Sequence, residues 1–256
     1  MANSPLAWIT TAAGKVAQLN EKQIITVNEQ TALDLGVGKD GQVWIVTEEA
    51  FEPSAENPVG GNKLAYLDGE SWTSLDFGAS KVDASWQADE AVAVLSNGSV
   101  ATVDKSGKST VISDENFAMD VSAGPDGTIW VVSTEITDGG DNLIKYYNAE
   151  DKSWVALDVP GEGVSGRPDG SAIVVANGSA VNVNKEGQVL GGIPLAPGTI
   201  KQLSVAADGS AWVVTNEASD AGGNKVVYVT FTEEGHLKNI EFVPERQGVR
   251  RIDAFS

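Results

Sequence analysis

Three stretches of the chain repeat one set of polar residues that could bind a ligand. In each stretch a hydroxyl residue is followed two positions later by glutamate, and a Gly-Gly pair then precedes an asparagine or aspartate. Glutamate accepts hydrogen bonds and asparagine both donates and accepts them, so this set suits the paired hydroxyls of a sugar. The candidate ligand-binding residues are Glu49, Asn62, Glu135, Asp141, Glu217 and Asn224. The alternative is that these side chains only tie their own loops together, with Gly-Gly forming the turn.

Tryptophan is the second residue type that could carry binding, because the apolar face of a sugar stacks on an aromatic ring. Trp44, Trp130 and Trp212 share one repeated position, and Trp72 and Trp154 share another. All five are candidate ligand-binding residues. The alternative for the first three is that they fill the space between neighbouring sheets of the core, and for the other two it is packing at the rim.

Catalytic chemistry has less support from the sequence. The chain has one histidine, His236, in a predicted outer hairpin, and it has no cysteine for a nucleophile. The segment 138–142 carries carboxylates that suit Ca²⁺, but only one of the three repeats has them. We therefore expect no metal, no cofactor and no enzymatic activity. The alternative left open is a metal-dependent hydrolase or lyase with aspartates aimed into a central channel, namely Asp34, Asp83, Asp120 and Asp253.

The charge balance excludes several classes of partner. Seventeen Lys and Arg residues against 36 Asp and Glu residues give a net charge of −19, spread along the chain. Such a surface repels nucleic-acid phosphates and anionic lipids, so we expect no nucleic-acid partner. Apolar runs are too short for membrane insertion. Residues 1–13 lack the pattern of a secretory signal, which predicts a cytoplasmic protein or one released without a classical signal.

Internal repetition predicts the fold that must position these residues. Three long units each place an Asp-Gly turn, or a close equivalent, just before a Trp-containing strand. The tryptophans at 44, 130 and 212 are 86 and 82 residues apart. That spacing is about twice the 40 to 45 residues of one four-stranded propeller blade. Apolar stripes at helical spacing are nearly absent, and strands rich in Val, Ile and Thr alternate with tight turns.

Shorter units lie between the long ones. Two of them are built around Asn97-Gly98 and Asn177-Gly178, and Asn-Gly between apolar runs favours a type I′ hairpin turn. The third is split, with three strands near the N-terminus and one, 249–255, near the C-terminus. Pairing these strands would close the ring and remove an exposed edge. The sequence therefore predicts a single all-β domain over residues 1–256, a six-bladed β-propeller of three tandem two-blade repeats.

The long units also resemble the tectonin family, whose blades read Asp-Val-Ser-x-Gly-x-Asp-Gly-x-x-Trp-x-Val and close with a Trp-containing strand. Asp120–Val132 fits this pattern closely, and Trp154 follows in the closing strand. The first long unit fits nearly as well, with Trp72, whereas the third lacks a Trp in its closing strand, 237–242. The short units match poorly apart from Trp8. The resemblance covers roughly half of the chain.

Tectonin proteins are mostly lectins and innate-defence proteins that bind glycans, often methylated sugars or lipopolysaccharide, at several sites around the ring. The resemblance implies a multivalent carbohydrate-binding protein that recognises surface glycans, including microbial or methylated sugars. Several weak sites on one ring would gain avidity on a displayed glycan. The alternative from another class is a protein–protein interaction scaffold that uses the same loop face.

Overall fold

The computed structural model describes residues 6–19, 24–54, 58–113, 116–196, 198–220, 222–232, 237–243 and 248–255, so His236 lies outside the described residues. Nearly all of the described secondary structure is β-strand, with a single three-residue 3₁₀ turn at Lys39–Gly41. The all-β prediction is confirmed. Within these ranges no helix is long and apolar enough to cross a membrane.

The strands pair as antiparallel sheets that mostly follow chain order. The chain opens with β1 (Leu6–Thr11), β2 (Lys15–Leu19) and β3 (Ile24–Thr31). Four sheets of four strands come next. Their strands are β4 (Asp34–Val37), β5 (Val43–Phe51), β6 (Gly61–Asp68) and β7 (Ser71–Ala79); β8 (Lys81–Ala84), β9 (Glu90–Val94), β10 (Val100–Asp104) and β11 (Ser109–Ser113); β12 (Ala118–Ala123), β13 (Ile129–Ile136), β14 (Asn142–Asn148) and β15 (Ser153–Pro160); β16 (Gly163–Gly166), β17 (Ala172–Ala176), β18 (Ser179–Val183) and β19 (Val189–Ile193).

The remaining strands form one eight-stranded sheet that joins the two ends of the chain. They are β20 (Ile200–Val205), β21 (Ala211–Ala218), β22 (Asn224–Phe231), β23 (Leu237–Phe242) and β24 (Val249–Phe255), together with β1 to β3. β24 pairs with β1 along its whole length, from Leu6 opposite Phe255 to Thr11 opposite Val249. A single pairing, Asn224 with Val249, links this half of the sheet to β22. The predicted pairing of the C-terminal strand with the N-terminal strands is therefore present.

Turn chemistry explains where the hairpins reverse, and it differs between the two Asn-Gly sites. Asn177 and Gly178 both have positive φ, at 50° and 66°, as a type I′ turn requires. At the other site only Gly98 has positive φ, at 86°. The Asn97 side chain instead accepts a hydrogen bond from the Ser99 backbone N–H at 3.0 Å. The type I′ prediction is thus correct for the second hairpin and wrong for the first, because a side chain organises the longer loop.

Large aromatic residues fill the space between sheets. Trp44, Trp130 and Trp212 have no exposed surface. Each indole packs on a tyrosine of the next strand of its own sheet, with ring centroids 4.8 to 5.3 Å apart. The first strand of each four-stranded group then contacts its counterpart in the next group, in the order β4, β8, β12, β16, β20, β24 and back to β4. We call these six the inner strands. They surround a central cavity.

Candidate functional site

The central cavity has a volume of about 360 Å³ and is lined mainly by the inner strands. Alternation along each strand decides which side chains face it. In β8, for example, Lys81 and Asp83 line the cavity while the Val82 side chain belongs to the core. Four aspartates were candidates to face a central channel, and all of them line the cavity: Asp34, Asp83, Asp120 and Asp253.

The first cavity-facing residue of each inner strand lies nearest the mouth, and two ion pairs form there. Arg251 Nη1 lies 2.9 Å from Asp34 Oδ1, and Lys81 Nζ lies 3.9 Å from Asp120 Oδ1. Burial raises the pKa of the Asp120 carboxyl, and the Lys81 charge opposes that rise. The upper wall of the cavity is therefore polar, with acidic and basic groups next to each other.

The residue two positions after the first cavity-facing residue of each inner strand links one sheet to the next. In five inner strands this side chain accepts a hydrogen bond from a backbone N–H of the following inner strand, a contact we call a latch. The five latches, acceptor first, are Asp83 Oδ2 and Ala123 N (2.8 Å), Ser122 Oγ and Gly166 N (3.1 Å), Ser165 Oγ and Val205 N (3.0 Å), Ser204 Oγ and Ala254 N (3.1 Å), and Asp253 Oδ2 and Val37 N (2.5 Å). These contacts satisfy backbone donors that the short inner strands leave without a ladder partner.

The sixth inner strand carries Gly36 at this position and uses another residue instead. Asp34, two residues earlier, accepts the N–H of Val82 at 3.1 Å, so the latch between β4 and β8 lies one level closer to the mouth. Gly36 has no room for a side chain, since a Cβ there would lie 2.4 Å from Asp83 Cα and 2.6 Å from Ala84 N. At this level β4 therefore packs its bare backbone directly against β8 and carries no side chain.

Asp83 and Asp253 hydrogen-bond to each other. Burial raises the pKa of Asp83 well above its usual range, and the nearby charge of Asp253 raises it further. Burial also raises the pKa of Asp253, to about 6, against the hydrogen bonds from the Ser204 hydroxyl and the Val37 N–H. Of the two carboxyl groups, Asp253 therefore ionises first as the pH rises, and Asp83 keeps its proton to higher pH. The cavity thus holds two coupled carboxyl groups of different acidity.

The channel aspartates do not converge on a point that suits a metal ion. Among the described residues no group of three or more His, Asp or Glu side chains could hold one. Asp34 is bound to Arg251 and to the Val82 N–H, and Asp83 accepts backbone N–H groups with both of its oxygens. The residues present therefore fit proton transfer better than metal coordination.

The three repeated glutamates lie at the end of the molecule where the cavity opens. In the first repeat, for example, β5 pairs with the mouth end of β4 at Val46 and then continues into Glu49. Each glutamate forms an ion pair with a lysine of the following strand. The pairs are Glu49 with Lys63, Glu135 with Lys145, and Glu217 with Lys225. These contacts fit the alternative in which the glutamates tie their own loops together, and glycan binding by them stays a prediction.

Strand pairing corrects the alignment of the amide residues. Asn62 lies opposite Ala50 and Asn224 lies opposite Ala218, six residues after the tryptophan of each repeat. The matching residue of the middle repeat, Ile136, lies opposite Asn142 rather than Asp141. The equivalent of Asn62 and Asn224 is therefore Asn142. Asp141 is exposed in the preceding turn.

The tryptophans differ in how much surface they offer. The rings of Trp44, Trp130 and Trp212 are completely enclosed, which fits the alternative that they fill the space between sheets. Trp72 and Trp154 are partly buried. Trp154 packs edge-on against Phe117, with centroids 5.2 Å apart. The first three rings thus offer no face to a sugar, and only the last two have an open edge.

Sequence reasoning missed the latch serines Ser122, Ser165 and Ser204. The signal was nevertheless present, because serine recurs at the same level of three inner strands, eight residues before each of Trp130 and Trp212 and before Ile173. It also missed Lys201 and Arg250, which line the cavity beside its mouth. No motif marks these two residues, since each lies in an inner strand whose neighbouring inner strands are far away in the chain.

No protein-family model and no curated protein matches the chain. Solved structures do match its fold. A streptogramin B lyase structure aligns over 96% of this chain and 81% of its own, with a TM-score of 0.56 and 14% identity. TolB from Acinetobacter baumannii aligns over 98% of this chain and 66% of its own, with a TM-score of 0.64 and 16% identity. The periplasmic gluconolactonase PpgL from Pseudomonas aeruginosa aligns over 94% of this chain and 82% of its own, with a TM-score of 0.51 and 18% identity. At these identities the likeness shows the fold alone, a β-propeller.

The comparison corrects one sequence-based expectation. We expected the chain not to be an enzyme, yet two of the structures that share its fold carry the names of enzymes. That expectation gave too much weight to the lack of cysteine and to the presence of only one histidine in the chain. Two aspartates 170 residues apart in the chain make no local motif, and folding alone brings them together.

Proposed function

We propose that the protein is an enzyme of the hydrolase class that cleaves an ester bond in the central cavity. The observation that carries this proposal is the hydrogen-bonded pair of carboxyl groups, Asp83 and Asp253, in the central polar cavity. One member with a strongly raised pKa and one near 6 is the arrangement that lets two carboxyl groups serve as acid and base at neutral pH. The cavity volume of about 360 Å³ is in the range of small-molecule sites.

The roles follow from the protonation states. Asp253, ionised, takes a proton from a water molecule while the water oxygen forms a bond to the ester carbonyl carbon. Asp83, protonated, gives its proton to the alkoxide oxygen as the carbon–oxygen bond breaks. Water and ester are thereby converted to a carboxylic acid and an alcohol. The proton now on Asp253 passes to Asp83 along their hydrogen bond, which restores the starting state.

The names of the fold relatives support an ester substrate. One relative is named a gluconolactonase, and a lactone is a cyclic ester. Another is named a lyase, so bond cleavage is a shared feature of both names. A metal-dependent hydrolase or lyase is the competing proposal. Against it, the carboxylate oxygens of Asp34 and Asp83 already bind Arg251 or backbone N–H groups. Acid–base chemistry requires only the two residues that already face each other.

We also propose that the scaffold of this site is one domain, a closed ring of six blades. The eight-stranded sheet then counts as two blades, β20 to β23 and β24 with β1 to β3. The support is that each of the six neighbouring pairs of inner strands carries a latch, including Asp253 to Val37 between the last strand and the first blade. The single Asn224–Val249 pairing between the two halves of that sheet agrees with this division.

The experiment is a hydrolysis screen with single-residue variants. Simple esters and five- and six-membered lactones would be tested by measuring acid release, with and without a chelator. We expect a hit whose rate falls about 100-fold or more in Asp253→Asn and Asp83→Asn, the usual loss when an acid–base group is removed. Asp68→Asn, at the exposed end of β6, is the matched control and should keep full activity. Unchanged rates in both dyad variants would overturn the proposal. Loss of activity with chelator, restored by a divalent cation, would favour the metal-dependent alternative.

A further inference from the structure

Asp83 and Asp253 accept the same set of backbone hydrogen bonds. Oδ1 of each accepts the N–H of the next residue in its own strand, at 2.8 Å from Ala84 and at 3.0 Å from Ala254. Oδ2 of each accepts a backbone N–H of the following inner strand, which is its latch. The backbone donors alone therefore do not distinguish the two carboxyl groups.

The inner strand that comes before each aspartate carries a different residue at the same level. β20 comes before β24 and has Ser204, whereas β4 comes before β8 and has Gly36. The two positions are equivalent, because Ser204 lies opposite Trp212 and Gly36 lies opposite Trp44. The preceding inner strand therefore supplies a hydroxyl group to one aspartate and no side chain to the other.

The buried Ser204 hydroxyl donates a hydrogen bond to Asp253 Oδ1. A hydroxyl that donates to a carboxylate makes a charge-assisted bond, which favours the ionised form. Gly36 offers Asp83 no such bond, and a side chain there has no room, since its Cβ would lie 2.4 Å from Asp83 Cα. Burial raises the pKa of both carboxyl groups, and the hydrogen bond from Ser204 is the strongest effect that lowers the pKa of Asp253.

We propose that Ser204 is a positioning residue of the cavity, and that its hydroxyl makes Asp253 rather than Asp83 the carboxyl group that loses its proton first. Asp253 is then the base of the proposed hydrolysis and Asp83 the acid, so this assignment of roles rests on the proposed function. The order of ionisation does not rest on it, because it follows from hydrogen bonds within the protein. The difference between acid and base thus comes from a serine and a glycine at equivalent positions of two inner strands.

The other charged groups near the pair do not depend on Ser204. Asp83 bonds to Asp253 from β8, and Asp34 of β4 is paired with Arg251 of β24 itself. Within Leu6–Thr11, β1 has no charged residue. The remaining charged residues on the elements that contact β24 are Lys201 on β20, Glu217 and Lys225 paired on β21 and β22, Arg250 on β24, and Lys39 and Asp40 in the 3₁₀ turn. On β8 and the elements that contact it they are Lys81, Asp120 on β12, Glu90 on β9, and Glu48 and Glu49 on β5. A change at Ser204 leaves all of these in place and isolates the hydroxyl.

The test follows the two carboxyl groups directly in the whole protein. The side-chain carboxyl carbons are labelled with ¹³C-aspartate and titrated by NMR, and the two signals are assigned from their loss in Asp83→Asn and Asp253→Asn. In Ser204→Ala the titration midpoint of Asp253 should rise by about one pH unit, the effect of one hydrogen bond to a charged group. This variant should fold, because the Ala254 N–H keeps its bond to Asp253 Oδ1. An unchanged midpoint would overturn the proposal.

Ser165→Ala is the matched control. Ser165 forms the same kind of latch, to the Val205 N–H at 3.0 Å, but among the described residues its hydroxyl has no carboxylate partner. Its removal should lower stability and leave both aspartate midpoints unchanged. Ser204→Thr keeps a hydroxyl and should keep the wild-type midpoint of Asp253. An equal shift in Ser165→Ala, or a shift in Ser204→Thr as large as in Ser204→Ala, would show that packing rather than the hydroxyl sets the midpoint, and the proposal would fail.

The same variants separate this proposal from the proposed reaction. If an ester is hydrolysed, the acid limb of its kcat/KM profile reports the base of the free enzyme and should move to higher pH in Ser204→Ala by the same amount. A shifted titration without hydrolysis of any ester would leave the role of Ser204 in ionisation standing and remove the hydrolase. Hydrolysis by the wild type with an unchanged titration in Ser204→Ala would remove the role of Ser204 and leave the hydrolase.

Discussion

Asp83 and Asp253 hydrogen-bond to each other, although each also holds two neighbouring inner strands together. The same carboxyl groups are therefore both structural acceptors and the titrating pair of the cavity. Because burial raises the pKa of both groups, the stability of the fold and the chemistry of the cavity should respond to the same range of pH.

The first prediction concerns the pH dependence of stability. Both folded-state pKa values are raised, so the stability that the pair contributes is fully present below the ordinary aspartate pKa of about 4. It is lost as the pH rises through about 6, the folded pKa of Asp253, and further where Asp83 ionises. Asp253→Asn cannot ionise, so its melting temperature should rise relative to that of the wild type between pH 4 and pH 8. A difference that stays constant with pH would contradict this.

The second prediction concerns the latches. Ser165→Ala removes the acceptor of the Val205 N–H and leaves that buried donor unpaired. A buried unsatisfied donor costs about 1–3 kcal/mol, so urea unfolding should show a loss of that size. Ser109→Ala is the matched control, because Ser109 is exposed on β11, far from the inner strands. Equal effects of the two substitutions would mean that the latch contributes nothing.

The third prediction concerns the close approach of β4 to β8 at Gly36. Gly36→Ala places a methyl group 2.4 Å from the Asp83 backbone, so the strands must move apart. We expect destabilisation of about 1–3 kcal/mol, as for other overpacked sites, and loss of the raised pKa of Asp253 in an NMR titration. Gly191→Ala, where nothing lies within 4 Å of the new methyl group, should be neutral or slightly stabilising. A Gly36→Ala protein with wild-type stability and titration would show that the close approach is not needed.

The fourth prediction uses the repeated glutamates as internal controls for one another. Lys145 is 8% exposed and Lys225 is 44% exposed, yet each pairs with the same repeated glutamate. Glu135→Gln leaves a buried ammonium without its carboxylate and should cost about 1–3 kcal/mol. Glu217→Gln affects an exposed pair and should cost about 0.2–1 kcal/mol. Thermal melts of the two variants give the comparison, and a larger loss for Glu217→Gln would refute the explanation from burial.

The repeat made the architecture readable from the sequence. The Trp spacing and the Asp-Gly turns predict four-stranded units, and β24 pairs with β1 as the split third unit implies. Strand alternation also places Asp34, Asp83, Asp120 and Asp253 on the cavity correctly. These features are local or periodic, so they can be recognised in a single amino-acid sequence.

The chemistry of the site could not be read in the same way. Asp83 and Asp253 lie on β8 and β24, which no spacing rule brings together. At the loops the threefold Glu pattern is consistent with ion pairs to Lys63, Lys145 and Lys225, and glycan binding by these glutamates stays a prediction.

The latches between inner strands have a consequence for how the backbone can be connected. Each joins neighbouring strands in the same direction, and the one from Asp253 to Val37 does so between β24 and β4, which lie at opposite ends of the sequence. Leu6 and Phe255 are directly paired, so a short linker could join the described ends. A circular permutant reopened at an exposed turn between two other sheets would keep all six latches. The order in which the chain visits the inner strands is therefore not what holds them together.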